Sequence, residues 1–161
     1  MPTIYHQTPL GITRITEEDG FITSVYMLDE DLEPTPATTP LLKETVKQLD
    51  EYFAGERKEF DLPVKQQGTP FQQQVWDELS KIGYGDTISY GQQSKLMNNP
   101  LGIRAIASAN GKNHLIIVVP CHRVIGADGS LTGFGAGIWR KKWLLEHEAR
   151  IAGKGQTKLD L

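Results

Sequence analysis

Residues 115–126, LIIVVPCHRVIG, set the tightest limit on how this chain can fold. Leu115 to Pro120 carry no polar side chain, and such a run reads as a buried strand bounded by proline. Cys121, His122 and Arg123 follow at once and are too polar to continue inward, so a thiol is expected at an edge of the core. It is the only cysteine among 161 residues. One thiol makes neither an intramolecular disulfide nor a multi-thiolate zinc site, which removes disulfide scaffolds and zinc ribbons from the folds open to the chain.

The length allows one large domain or two small ones, either with an adequate core. No apolar run approaches the roughly 20 residues of a membrane span, and MPTIYHQTPL lacks the basic and apolar regions of a secretory signal, so a cytoplasmic or nuclear protein without a membrane partner is expected. Charge divides the chain unevenly. Residues 1–68 hold 6 Lys+Arg against 13 Asp+Glu, net −7, whereas residues 69–161 hold 11 against 7, net +4. A basic half is the footprint of a polyanion binder or simply a solvated surface.

The pattern along the chain predicts an α+β protein. TIYHQT, GITRIT and FITSVYML are three β-type segments separated by Pro or Gly, hence an antiparallel meander. After the acidic, proline-rich DEDLEPTPATTP, the residues Leu42, Val46, Leu49 and Phe53 recur at helical spacing until Gly55. A boundary is expected near residue 68. Thr69, Pro70 and Gln72 form a capping box with proline at the first helical position, and Phe71, Val75, Leu79 and Ile82 make one stripe. Ser89 with Gln92 repeats the box and predicts a helix over about 90–97. NNP separates it from another over about 100–110, so the pair resembles a helix-turn-helix. The prediction is a small sheet-plus-helix domain over 1–68 and a mainly helical, winged helix-turn-helix-like domain over 69–161.

Three features of the second half bear on chemistry. In LGIRAIASANG, Ile103 and Ile106 can face inward, while Arg104 is flanked by Leu101, Ser108 and Gly111; small residues around one long cation suit tight helix packing or close approach to another surface. GADGSLTGFGAG lacks a phosphate-loop lysine pattern and reads as a hairpin and loop, or as backbone that comes close to a flat ligand. In the last helix, WRKKWLLEHEAR, Glu148 lies beside the apolar face of Leu144 and Leu145, where a carboxylate is costly without a partner.

A lone cysteine is either a small core residue or a nucleophile. His122 can take or relay a proton, His122 and Arg123 can lower the thiol pKa as nearby cations, and Glu148 needs a partner, which together suggest a Cys–His–Glu relay. Neighbours in an extended segment point apart, so His122 is expected to reach the sulfur through a water.

PCHRV after an apolar strand, SYGQ upstream, IRAIASANGKN between them and WRKKWLLEHE after closely resemble the methylated-DNA:protein-cysteine methyltransferases, the O6-alkylguanine-DNA alkyltransferase family. The resemblance covers residues 69–161, and the opening TPLGITRI…GFITSVYML is similar to the family's variable N-terminal domain. It implies that Cys121 takes an alkyl group from O6-alkylguanine in double-stranded DNA and keeps it, a single-turnover direct repair. His122 and Glu148 would form the proton relay, Tyr90 would crowd the target phosphate and assist the leaving guanine, and Asn113 would tie the recognition helix to the active-site strand. Arg104 would replace a nucleotide flipped out through the minor groove, with Tyr90 and Ser108 also on the DNA side. The carbonyls of Cys121 and Val124, the aromatic face of Phe134 and the Gly135 N–H would surround the base. The resemblance implies no cofactor, no metal and a monomer.

Some positions depart from the family's commonest pattern. His114 stands where proline is usual and reads as a solvated histidine; Phe134 stands for a tyrosine, and Gly135 and Ala136 bring no hydroxyl. Trp76, Trp139 and Trp143 are expected in the core, and His6 and His147 have no role. Rival readings are a non-catalytic binder of alkylated DNA, which would have the cysteine replaced, and a winged-helix DNA-binding regulator. A methyl-phosphotriester sensor would need a multi-cysteine zinc domain. A cysteine hydrolase would turn over and leave Arg104 unexplained.

Overall fold

Two tight turns shape the first strands. The structure, a computed structural model, describes residues 2–98, 102–131 and 134–153. Strand β1 (Thr3–Thr8) meets β2 (Gly11–Glu18) across Pro9 and Leu10. Strand β3 (Phe21–Met27) follows β2 across Asp19 at φ 53° and Gly20 at φ 81°. Positive φ at both central residues is what a two-residue hairpin demands, and Asp-Gly supplies it at least cost. The sheet is antiparallel in the order β1-β2-β3, with a bulge between Thr16 and Glu17. Ile4, Ile15 and Val25 face one another across the strands and are fully buried.

Helix α1 (Pro40–Phe53) covers all three strands with Leu42, Leu49 and Tyr52. Thr39 Oγ1 accepts the Leu42 N–H at 3.1 Å, Pro40 occupies the first turn, and Gly55 at φ 80° ends the run. Buried Gln48 is satisfied in both directions by the backbone of Asp61, donating at 3.0 Å and accepting at 2.9 Å.

The outer edge of β3 is filled by two distant segments. Ile22 bridges Val64, and Val25 bridges Leu115, both parallel. The chain therefore divides into one unit running to Gln67 together with His114–Val118, and a second made of Gly68–Asn113 and the chain from Val119 onward. This changes the reading of residues 115–120 as a strand of the second domain. Only Leu115 bridges, and the run then turns, with Ile117 at φ 74°. Apolar runs report burial and not backbone conformation, and a buried turn satisfies the pattern as well as a strand does.

In the second unit, helix α2 (Pro70–Leu79) starts at the Thr69–Gln72 capping box. Strand β4 (Ile88–Ser89) leads into α3 (Tyr90–Leu96), which starts at the Ser89–Gln92 box. Helix α4 (Ile103–Gly111) follows. Gln93 and Asn110 exchange side-chain hydrogen bonds at 3.1 and 2.9 Å and lock α3 to α4, while Trp76 Nε1 donates to Ala109 O at 2.9 Å and locks α2 to α4. A 3₁₀ turn, Cys121–Arg123, precedes β5 (Val124–Ile125), which pairs in parallel with β4, and α5 (Ile138–Ile151) closes the unit. Leu101, within the expected helix over 100–110, lies outside the described residues.

Candidate active site

Pro120 decides how the thiol is presented. Its φ of −83° and ψ of 63° make the centre of an inverse γ-turn, with Cys121 N–H donating to Val119 O at 2.8 Å. The 3₁₀ turn then folds Cys121, His122 and Arg123 inward, and all three are buried. This corrects the expectation that the cluster is too polar to continue inward. Polar side chains go inside here because each meets a partner.

Glu148, projecting from α5, is that partner for two of them. His122 Nε2 lies 2.7 Å from Glu148 Oε2, and Arg123 grips both carboxylate oxygens, Nε to Oε1 at 2.8 Å and Nη2 to Oε2 at 3.0 Å. Arg123 Nη1 also donates to Ile82 O at 2.7 Å, and the Gly85 N–H donates to Glu148 Oε1 at 3.2 Å. On the other side, Asn113 Nδ2 donates to Cys121 Sγ at 3.3 Å and to Val119 O at 2.8 Å.

These contacts fix the charge states. Burial alone would push the Glu148 carboxyl up, but His122 and Arg123 hold it well below the usual carboxylate range. Burial pushes the His122 imidazole down, outweighing the pull of Glu148, and Arg123 already neutralises that carboxylate. His122 thus rests neutral and donates Nε2–H to Glu148. Its Nδ1 is a buried lone pair with no hydrogen-bond partner among the described residues. Burial also pushes the Cys121 thiol up, opposed by the Asn113 hydrogen bond and by Lys141. The resting pair is a thiol and a neutral base, which is the state that general-base activation requires.

Lys141 is the residue that sequence reasoning missed. It is fully buried on α5, its Nζ lies 5.7 Å from the centre of the Tyr90 ring, and burial lowers its pKa to about 8. It, and not Arg123, is the cation that lowers the thiol, since Arg123 is spent on Glu148. The signal was spacing: Lys141, Leu144, Leu145 and Glu148 share one helical face, so a lysine at the head of that stripe turns inward with it.

Tyr90 is half-buried at the start of α3. Val124 is buried, and its N–H caps the Cys121 carbonyl, one of the two carbonyls expected at the base. Phe134 is buried and Gly135 exposed, in a turn closed by Gly137 N–H to Phe134 O at 3.0 Å. Arg140 clamps that turn, donating to Ala136 O at 2.7 Å and stacking on Trp139 at 4.6 Å. Arg104 and Ser108 are both exposed on α4. Ile103, expected inward, is 44% exposed, and Trp139, expected in the core, is 53% exposed. Trp143 is half-buried and stacks on His147, whose Nδ1 meets Arg150 at 3.2 Å; His6 pairs with Asp50 at 2.7 Å.

A mainly helical unit carrying one buried thiol and its own base defines a narrow class of protein. Two family models match the chain, the 6-O-methylguanine DNA methyltransferase ribonuclease-like domain over residues 2–66 and the DNA binding domain of the same family over 70–150. A constitutive methylated-DNA–protein-cysteine methyltransferase of Bacillus subtilis is 44% identical over 156 residues, covering 92% of this chain and 94% of the relative. The crystal structure of a Mycobacterium tuberculosis O6-methylguanine methyltransferase superposes with a TM-score of 0.83 at 41% identity, covering 97% of each chain. That organism's OGT in complex with DNA gives 0.82 at 41% identity, covering 96% of each. The chain belongs to the 6-O-methylguanine DNA methyltransferase family.

Proposed function

We propose that this protein repairs DNA by direct reversal, with Cys121 as the alkyl acceptor and O6-alkylguanine in double-stranded DNA as its substrate. The observation that carries the reading is the buried Cys121 beside His122, whose Nε2 is tied to Glu148 and whose Nδ1 has no hydrogen-bond partner among the described residues. The thiol proton passes to His122 Nδ1 by way of a water, and the imidazolium so formed is stabilised by Glu148. Sulfur then forms a bond to the alkyl carbon as the carbon–O6 bond breaks. The electron pair leaves on guanine, whose oxyanion is met by the Tyr90 hydroxyl and by Lys141. The thioether has no comparable leaving group, so one protein accepts one alkyl group.

Reaching O6 requires the nucleotide to leave the stack, at a cost of a few kcal/mol. Arg104, exposed on α4 with the small residues Ser108 and Gly111 following it, is the side chain to fill the gap from the minor groove. The carbonyls of Cys121 and Val124 and the Gly135 N–H read the base, with Phe134 beside them. Residues 69–161 carry this chemistry and residues 1–68 are structural. The protein acts as a monomer in the cytoplasm, with access to chromosomal DNA, and needs no cofactor.

The test is incubation with a duplex carrying labelled O6-methylguanine. Label should move to Cys121, rise to one equivalent per protein and stop. Cys121→Ser should bind the duplex and take no label. Continued turnover, or label on the serine variant, overturns the reading.

A further inference from the structure

We propose that Arg140 is a positioning residue for base recognition: its buried guanidinium holds the Ala136 carbonyl and so aims the Gly135 N–H at the O6 atom of the flipped guanine. The inference rests on the reading of O6-alkylguanine as the substrate and of Gly135 as one of its contacts.

The turn from Phe134 to Gly137 has to present a donor with its backbone alone. Gly135 has no side chain and Ala136 no hydroxyl, so any donor the turn offers a base is a backbone N–H. Gly135 is exposed, and its N–H has no hydrogen-bond partner among the described residues. Two linked peptide planes set the direction of that N–H. In a trans peptide the carbonyl and the following N–H point opposite ways. Arg140 Nη1 donates to Ala136 O at 2.7 Å, which turns the other end of that plane, the Gly137 N–H, towards Phe134 O, and the two meet at 3.0 Å. Phe134 O is thereby held inside the turn. The Gly135 N–H, at the other end of the Phe134 carbonyl's plane, points out of it.

Such a turn needs a grip from outside. Gly137 stands at φ 99° and ψ 141°, a region that favours glycine, and a glycine there has no Cβ to restrict it. Burial of Phe134 and Ala136 anchors two side chains of the turn but leaves the tilt of its peptides open. Arg140 closes it. The side chain is buried, its guanidinium lies 4.6 Å from the centre of the Trp139 ring, and the Arg140 N–H donates to Gly137 O at 3.1 Å, so one residue of α5 holds the carbonyls on both sides of Gly137. A charge-assisted bond from a guanidinium already ordered in this way is of the strong kind. The groups that oppose burial at the Cys121 thiol are Asn113 and Lys141, and Arg140 is not one of them. Its loss is therefore felt at O6 and not at the sulfur.

The experiment measures single-turnover transfer by the full chain at saturating DNA. One duplex carries O6-methylguanine and the other S6-methyl-6-thioguanine, whose sulfur is a weak acceptor. Arg140→Met, which keeps much of the length and loses the donor, should slow transfer from O6-methylguanine about tenfold to a hundredfold and from the sulfur analogue about threefold at most. Arg140→Lys, which keeps a donor, should show the same selective loss at smaller size. Modification of Cys121 by iodoacetamide, which presents no O6, should stay within about twofold of the wild-type rate in both variants, while exchange of the Gly137 amide hydrogen should quicken about tenfold in Arg140→Met. Equal proportional loss on the two duplexes, a parallel loss with iodoacetamide, or an unchanged Gly137 exchange rate overturns the proposal. Failure of the wild type to take label from O6-methylguanine, with Gly137 exchange still dependent on Arg140, would sink the acceptor reading and leave the aim of the turn standing.

Discussion

Helices α1 and α5 are both 14 residues long and are built on opposite terms. In α1 a threonine cap and a first-turn proline fix the start, and the buried polar residues Thr45 and Gln48 are neutral and locally satisfied. In α5 no side chain caps the start, Gly137 enters at φ 99°, and Arg140, Lys141, His147 and Glu148 are all buried beside Leu144, Leu145 and Ala149. Buried ionised groups cost several kcal/mol each unless paired. One helix is organised to hold a sheet together and the other to hold charges out of water, at a cost that its leucines must offset.

The contrast is broken hardest at Glu148. Glu148→Gln leaves Arg123 buried without its anion, and destabilisation of about 3–5 kcal/mol is expected from denaturant melts at pH 7. Single-turnover transfer should fall about a hundredfold or more, because an amide cannot stabilise the imidazolium. Wild-type stability should also decline in acid. The folded state holds both His122 and Glu148 below their ordinary pKa values, so the unfolded chain takes up protons first, from about pH 6.5 downward for the histidine and then through the carboxylate range. The variant should lack the lower part of that decline. Equal acid sensitivity would mean that Glu148 is not the group responsible.

Lys141→Met sharpens the comparison with the opposite sign. Lowering a lysine from 10.5 to about 8 means that folding disfavours its charge, so removing it should stabilise the protein by at most about 3 kcal/mol at pH 7. The advantage should shrink between pH 8 and 10.5, where the unfolded chain still holds the proton that the folded protein has released. Reactivity of Cys121 should shift to higher pH. Loss of stability in this variant would show that the lysine is held by more than its surroundings suggest. The smallest effect belongs to α1. Thr39→Ala removes the cap on Leu42 and the hydroxyl that meets Glu17, costing about 1 kcal/mol with transfer unchanged.

What was legible in the sequence was local. The capping boxes at Thr69 and Ser89 involve residues three apart, and the meander is written in short β-type segments with Pro or Gly between them, so tertiary context had little to override. The tie between His122 and Glu148 could be anticipated because a carboxylate on an apolar stripe demands a partner. The 115–119 run misled because hydrophobicity does not record φ, and Ile117 sits where an isoleucine is seldom found. Lys141 was passed over because adjacent basic residues ordinarily mark solvent. Trp139 was placed inside on size, although an indole can lie over a guanidinium at the surface.

The bridge from Val25 to Leu115 spans ninety residues of sequence and has a bearing on how the protein is made. A nascent chain can form the meander and α1 early, but it displays an unfilled β3 edge at Val25 until Leu115 leaves the ribosome. Unpaired edges invite pairing with other chains. The first unit is thus completed only when the sequence preceding the nucleophile has been synthesised, and a chain that stops short of residue 115 would be left with an open edge and no thiol.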